Sequence, residues 1–148
     1  MKKQTFKFGT GGKKSPKDKR DYKWSKLGKS AIPFSWSLGY DVTNKLPSNL
    51  SIKDQNGSSS CGGQATAYYG EVLEAIATKS QEERSAKFIY SQTFIGSGGS
   101  YLRDNFDIAV KLGWARESVL PSYPATEEFL TRREDIRLET LDDASSAK

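Results

Sequence analysis

The chain has 148 residues, of which 35% are hydrophobic and 28% charged, enough apolar content for one domain with a lean core. No stretch approaches the roughly 18 uninterrupted apolar residues of a membrane-spanning helix, and no apolar block follows the basic start, so neither a membrane span nor a secretory signal is expected. One cysteine and no histidine exclude an internal disulfide, a His-based zinc site and any Ser-His-Asp or Cys-His pair drawn from this chain alone.

No metal or cofactor is expected. A disulfide-free chain fits a reducing, intracellular compartment such as the cytoplasm. The formal net charge of +5 is unevenly spread. Residues 1–30 carry eleven Lys or Arg and two acids, a net +9, whereas the rest carries twelve and sixteen, a net −4. Residues 1–20, rich in Lys, Gly and Ser without a period, read as a disordered basic arm. Such an arm is ordinarily a solvated terminus. It would bind a polyanion only weakly and non-specifically, through phosphate contacts, because no regular aromatic interleaving offers base stacking. Gly9-Thr10-Gly11-Gly12-Lys13-Lys14-Ser15 fails the spacing of a phosphate-binding loop.

Residues 21–60 mix aromatics with Gly, Pro, Asn and Ser and read as loops, with a short strand near Tyr40–Thr43. From Cys61 to Lys79 the spacing predicts a long helix whose apolar face is Ala65, Tyr69, Val72, Leu73, Ile76 and Ala77, with Glu71, Glu74 and Lys79 off that face. A second helix starts at Ser85 as cap and carries Phe88, Ile89 and Phe94. Gly96-Ser97-Gly98-Gly99-Ser100 is a loop. Leu102, Phe106, Ala109 and Val110 predict a third helix ended by Gly113. After the loop containing Pro121 and Pro124, Thr126 caps a segment with Glu127 and Glu128 in its first turn. Phe129, Leu130, Ile136, Leu138 and Leu141 continue it with imperfect periodicity. Residues 143–148 read as a frayed tail. Asp104, Asp107, Asp142 and Asp143 read as solvated helix faces and ends.

The informative segment runs from Asp54 to Ala65. Cys61 follows small polar residues and opens a long helix. A helix start presents unpaired N–H groups and about half a positive charge, a setting that suits an anionic sulfur and a developing oxyanion. Gln55, six residues upstream across a Gly-containing loop, can fold back and offer a second donor. A nucleophile with an oxyanion donor pair suits acyl transfer.

These residues resemble the active-site segment of papain-like cysteine peptidases, in which Gln precedes a Gly/Ser-rich loop and Cys opens the central helix at the same spacing. Further pieces match in order: Lys19-Arg20-Asp21-Tyr22, Asp41-Val42-Thr43 before Leu46-Pro47, and Ser85 to Tyr90. Gly98-Gly99 with Tyr101 to Asp104, Lys111 to Gly113, Glu117-Ser118 and Tyr123-Pro124 follow, similar to the bacterial and viral branch. The resemblance implies an α+β, papain-like cysteine proteinase fold. It implies Cys61 as nucleophile, Gln55 in the oxyanion hole, and Gly98 and Gly99 as substrate-binding.

Ser58 stands where the family usually has a further Cys, and Gly62 where it often has Trp. The family's catalytic His and Asn/Asp lie roughly 130–150 residues after the nucleophile, whereas 87 residues follow Cys61 here. The chain therefore reads as the mainly helical left half (residues 21–142), lacking the C-terminal β-rich half. It is expected to be inactive alone, its partners being that half and, in the complete enzyme, a peptide or protein substrate. The alternative is a non-catalytic binding or structural module whose basic arm contacts nucleic acid or an acidic partner.

Overall fold

The structure is a computed structural model that describes residues 11–19, 21, 46, 50, 52–79 and 82–147; the strand expected near Tyr40–Thr43 lies outside these residues. The elements are β1 (Gly12–Lys13), α1 (Cys61–Thr78), α2 (Ala86–Thr93), β2 (Ser100–Tyr101), α3 (Leu102–Leu112), α4 (Glu127–Leu130), a 3-10 turn at Arg133–Asp135, and α5 (Leu138–Ser145). Among the described residues no helix is long and apolar enough to cross a membrane.

Local chemistry sets the helix ends. Lys79 stops α1 in a left-handed conformation (φ 64°) and donates its N–H to the Ala75 carbonyl. Ser85 caps α2 by accepting the Phe88 N–H at 3.0 Å. Gly113 closes α3 at φ 90°. Thr126 accepts the Phe129 N–H at 3.3 Å and so caps α4.

The packing departs from the sequence pattern at α1. Its buried residues include Gly62, Gly63, Thr66, Ala67, Gly70, Glu71 and Ala75, a small and polar face. Ala65 and Ala77 are exposed, and Tyr69 and Leu73 keep 47% and 43% of their surface. The cause is close approach. A Cβ on Gly63 would stand 2.8 Å from Tyr90 Cβ and 3.1 Å from the Ala86 carbonyl oxygen, and one on Gly70 would stand 2.8 Å from Trp114 Nε1. Small residues bring α2 and Trp114 against the α1 backbone, and large side chains cannot share that face.

One core cluster joins Phe88, Ile89, Ala109, Leu120 and Ala144; a second joins Tyr90, Ala125 and Leu130, with Phe94 and Phe129 against it. Ala109 is buried as expected, but Val110 is 74% exposed, one position round α3 from the inward stripe. The apolar run after Thr126 breaks into three pieces. The Thr131 hydroxyl bonds back to the Glu127 and Glu128 carbonyls at 2.9 and 3.2 Å, competing with further helix, and Leu138 ends up 80% exposed. The tail expected to fray is helical through Ser145, because Ala144 is buried in the first core cluster.

The arm read as disordered contains β1, which pairs in parallel with β2 in the register Gly12 to Ser100 and Lys13 to Tyr101. Farther on, Arg103 of α3 binds Asp18 at 3.2 Å and Asp21 at 2.6 Å. The Arg103 hydrogen bond holds the Asp21 carboxyl below its ordinary pKa. Backbone pairing and an ion pair organise a stretch that has no apolar pattern to announce it.

The Gly63 contact yields a test. Gly63→Ala forces a methyl into the α1–α2 interface and lowers unfolding stability by about 1–3 kcal/mol, read by urea denaturation. Gly96→Ala, where a Cβ meets nothing within 4 Å, shifts stability by no more than about 0.5 kcal/mol.

Candidate active site

Two positive-φ residues, Asn56 (45°) and Gly57 (76°), turn the chain between Gln55 and Cys61 back on itself. The Asn56 N–H donates to Asp54 Oδ1 at 2.8 Å. The Gln55 carbonyl accepts both the Ser58 N–H at 2.9 Å and the Ser58 hydroxyl at 2.7 Å. Gln55 and Cys61 thereby line one cavity of about 270 Å³, whose walls include Lys53, Gln64 and Tyr68. Cys61 is half-buried at the first position of α1. Ser60 does not cap that helix with its side chain; its hydroxyl lies 2.7 Å from that of Ser58.

Gly62 is a steric requirement. A Cβ there would stand 2.5 Å from Asn105 Nδ2 and 2.9 Å from Ser100 Oγ. Asn105 is fully buried, donates to Ser100 Oγ at 3.0 Å and accepts from the Thr93 hydroxyl at 2.6 Å. It fills the space that a large residue after Cys61 would need.

A buried ion pair supports the Gln55 loop from below. Lys53 Nζ lies 2.7 Å from Glu71 Oε1, and the same oxygen accepts the Arg84 N–H at 2.6 Å. Glu71 is 2% exposed, so the off-face position read from the sequence is corrected: the carboxylate is internal because a cation and a backbone donor compensate it. Tyr123 adds a second tie, its hydroxyl accepting the Asp54 N–H at 3.2 Å.

Gly98 (φ 86°) and Gly99 (φ 84°) form the turn before β2. Gly98 lines a different cavity from Cys61, of about 430 Å³, together with Ser59, Phe94 and Glu127. Glu127 Oε2 accepts the Ser59 N–H and Oε1 accepts the Tyr90 hydroxyl, each at 2.6 Å. The Tyr90 oxygen in turn accepts the Gly99 N–H at 3.0 Å. Burial and the Glu127 bond push the Tyr90 hydroxyl pKa above its ordinary value, so Tyr90 stays a proton donor. One carboxylate thus joins the loop before Cys61 to the glycine turn. Its partners lie 68 and 37 residues away in the chain, which is why it reads from the sequence only as a first-turn acid.

β1 crosses this region. The Gly11 carbonyl accepts the Ser100 N–H at 2.9 Å, and Gly11 packs directly against the backbones of Ser59 and Gly99. A Cβ on Gly12 would stand 4.0 Å from Cys61 Sγ. Nothing in the sequence pattern indicates this placement.

The assembled parts are a partly exposed thiol, an amide on its cavity, and an uncapped helix start. Among the described residues no group of three or more Cys, Asp or Glu is placed to hold a metal, and the chain contains no imidazole to act as a base.

No protein-family model matches the chain, and no curated protein matches it in sequence. Among solved structures it is similar to the Amb a 11 cysteine protease of ragweed pollen in its proform. That match has 25% identity over 64% of this chain and 29% of that one, with a TM-score of 0.49. It is also similar to xylellain, a cysteine protease from Xylella fastidiosa, at 24% identity over 100% of this chain, with a TM-score of 0.64. The chain spans 59% of the length of xylellain. The xylellain match carries the conclusion on architecture: the helix opened by Cys61, with the mostly helical body around it and the short parallel sheet, has the papain-like cysteine proteinase fold.

Proposed function

We propose that this chain is the nucleophile-bearing, N-terminal half of a papain-like cysteine peptidase of bacterial or viral type, inactive by itself. The observation that carries the reading is Cys61 at an uncapped helix start, sharing a cavity with Gln55. In the complete enzyme Cys61 Sγ attacks a peptide carbonyl, and the carbonyl oxygen takes up negative charge. The Cys61 N–H and the Gln55 amide donate to that oxygen. A His from the other half takes the thiol proton and passes it to the leaving amine; water then hydrolyses the thioester. The outward Tyr69 and Leu73 of α1 suit a face that a second half covers.

The unaided chain is expected to show no turnover of peptide substrates, and iodoacetamide is expected to modify Cys61 in the native protein. Turnover that disappears in Cys61→Ala would overturn the requirement for an external base. Alkylation slower in the native than in the urea-unfolded chain at every pH would make Cys61 a packing residue. Because β1 lies over the sulfur, a bulky maleimide reacts more slowly relative to iodoacetamide in the full chain than after deletion of residues 1–19. An equal ratio before and after deletion argues against that shielding.

A second reading, a binding module for nucleic acid or an acidic partner, is favoured by the exposure of Lys13, Lys14, Lys17 and Lys19. On that reading DNA affinity is weak, falls steeply with salt and is lost on deleting residues 1–30. Salt-independent binding, or binding kept after deletion, counts against it.

A further inference from the structure

Three buried polar side chains beside Cys61 form a chain of hydrogen bonds that ends on Gln55. Ser58, Ser60 and Gln64 are 5%, 0% and 6% exposed. Gln64 Nε2 lies 3.4 Å from Ser60 Oγ, Ser60 Oγ lies 2.7 Å from Ser58 Oγ, and Ser58 Oγ lies 2.7 Å from the Gln55 carbonyl oxygen. Gln64 also lines the cavity that Gln55 and Cys61 share.

The protons available fix the direction of this chain. A carbonyl only accepts, so the Ser58 hydroxyl gives its one proton to Gln55. Ser58 Oγ therefore accepts from Ser60, which uses the Ser60 proton. Ser60 Oγ can then only accept from the far side, so Gln64 turns its NH₂ group toward it. The consequence shows at the other atom of that amide: Gln64 Oε1 is buried and has no hydrogen-bond partner among the described residues. Turning the amide round would set Oε1 against an oxygen with no proton left to share. A buried acceptor without a partner destabilises the fold, and a methionine would fill the same place without one. Such a group calls for a role beyond packing.

We propose that Gln64 is a positioning residue for the Gln55 amide. By fixing the Ser60 and Ser58 protons it keeps the Ser58 hydroxyl on the Gln55 carbonyl, which orients the Gln55–Asn56 peptide and with it the side chain on the Cys61 cavity. Without that amide donor the Ser60 proton is free to turn away and Ser58 to follow it, leaving the carbonyl with only the Ser58 N–H. The part played in oxyanion binding rests on the peptidase reading; the direction of the chain stands on the contacts alone.

The test reads the full chain in two ways. The carbon-13 resonance of the Gln55 carbonyl reports its hydrogen bonding. Reversible addition of N-acetylaminoacetaldehyde reports the donors around the new oxygen: Cys61 Sγ bonds to the aldehyde carbon, the C=O π bond opens, and the thiol proton passes through water to form the hydroxyl. Iodoacetamide modification, which develops no oxyanion, reports the thiol alone. Gln64→Glu, once ionised, offers only acceptors and reverses the chain. It is expected to move the Gln55 carbonyl resonance and to weaken aldehyde addition by about threefold or more. The iodoacetamide rate stays within about twofold, and the change adds nothing to Gln55→Ala in the double variant. An unmoved carbonyl resonance overturns the proposal, as does a loss in the double variant beyond that of Gln55→Ala alone. Unchanged aldehyde addition in Gln64→Glu where Gln55→Ala weakens it overturns the proposal as well. If Gln55→Ala itself leaves aldehyde addition unchanged, the oxyanion role of Gln55 is overturned, and a moved carbonyl resonance still upholds the chain. If Gln64→Glu does not fold or stays protonated, Ser58→Ala, which removes the last hydroxyl of the chain, decides by the same readings.

Discussion

The contact between Gly63 and Tyr90 is the constraint from which the rest of the site hangs. A missing side chain on α1 lets α2 approach to within a Cβ contact, and this fixes where the Tyr90 ring enters the interior. The hydroxyl at the far end of that ring meets Glu127 Oε1 and the Gly99 N–H, and Glu127 reaches on to Ser59. A helix-packing distance is thereby transmitted to the loop that presents Cys61 and to the turn opposite it. The helices themselves are short: α2 and α5 have eight residues and α4 has four. Isolated helices of that length are marginal, so this packing holds the elements as well as placing them.

Charge does structural work in the same interior. The buried face of α1 is too small and too polar to be held by apolar burial alone. Glu71 Oε1 is held by Lys53 and the Arg84 N–H, and the Arg84 guanidinium binds Glu74 at 2.5 Å and the Trp114 carbonyl at 3.2 Å. Lys87, 1% exposed, pairs with Asp135 and lies 3.5 Å from the Phe129 ring centroid. Losing one member of such a pair leaves an uncompensated charge in a dry site, which costs more than the pair contributes to stability. The Lys53–Glu71 pair also lies under the loop that carries Gln55, so the same interaction that closes the interior steadies the amide beside the thiol.

The region around Cys61 then divides into two chemistries. On one side Gln55, Lys53 and Tyr68 line a cavity with Cys61; on the other Glu127 and Phe94 form a charged, partly apolar recess. Ser59 belongs to the wall between them, and Gly11, immediately before β1, packs backbone to backbone against Ser59 and Gly99. Glycine is required at Gly11, where the approach is backbone to backbone and a Cβ would stand 1.6 Å from the Ser59 carbonyl oxygen.

What the amino-acid order determined by itself was local. Cys61 as the start of a long helix, Ser85 and Thr126 as caps, Gly113 as a terminator and the Gln55-to-Cys61 spacing all depend on residues a few positions apart, where side-chain and backbone chemistry act directly. The face of α1 that is buried, the internal Glu71, the role of Asn105 beside Gly62, the Glu127 bridge and the pairing of β1 with β2 were decided only by tertiary structure. Each joins residues 9 to 88 positions apart, and each depends on a distance that periodicity does not encode. Hydrophobic spacing locates a face only when burial is apolar; where glycine approach and compensated charge replace it, the buried side follows from which neighbours arrive.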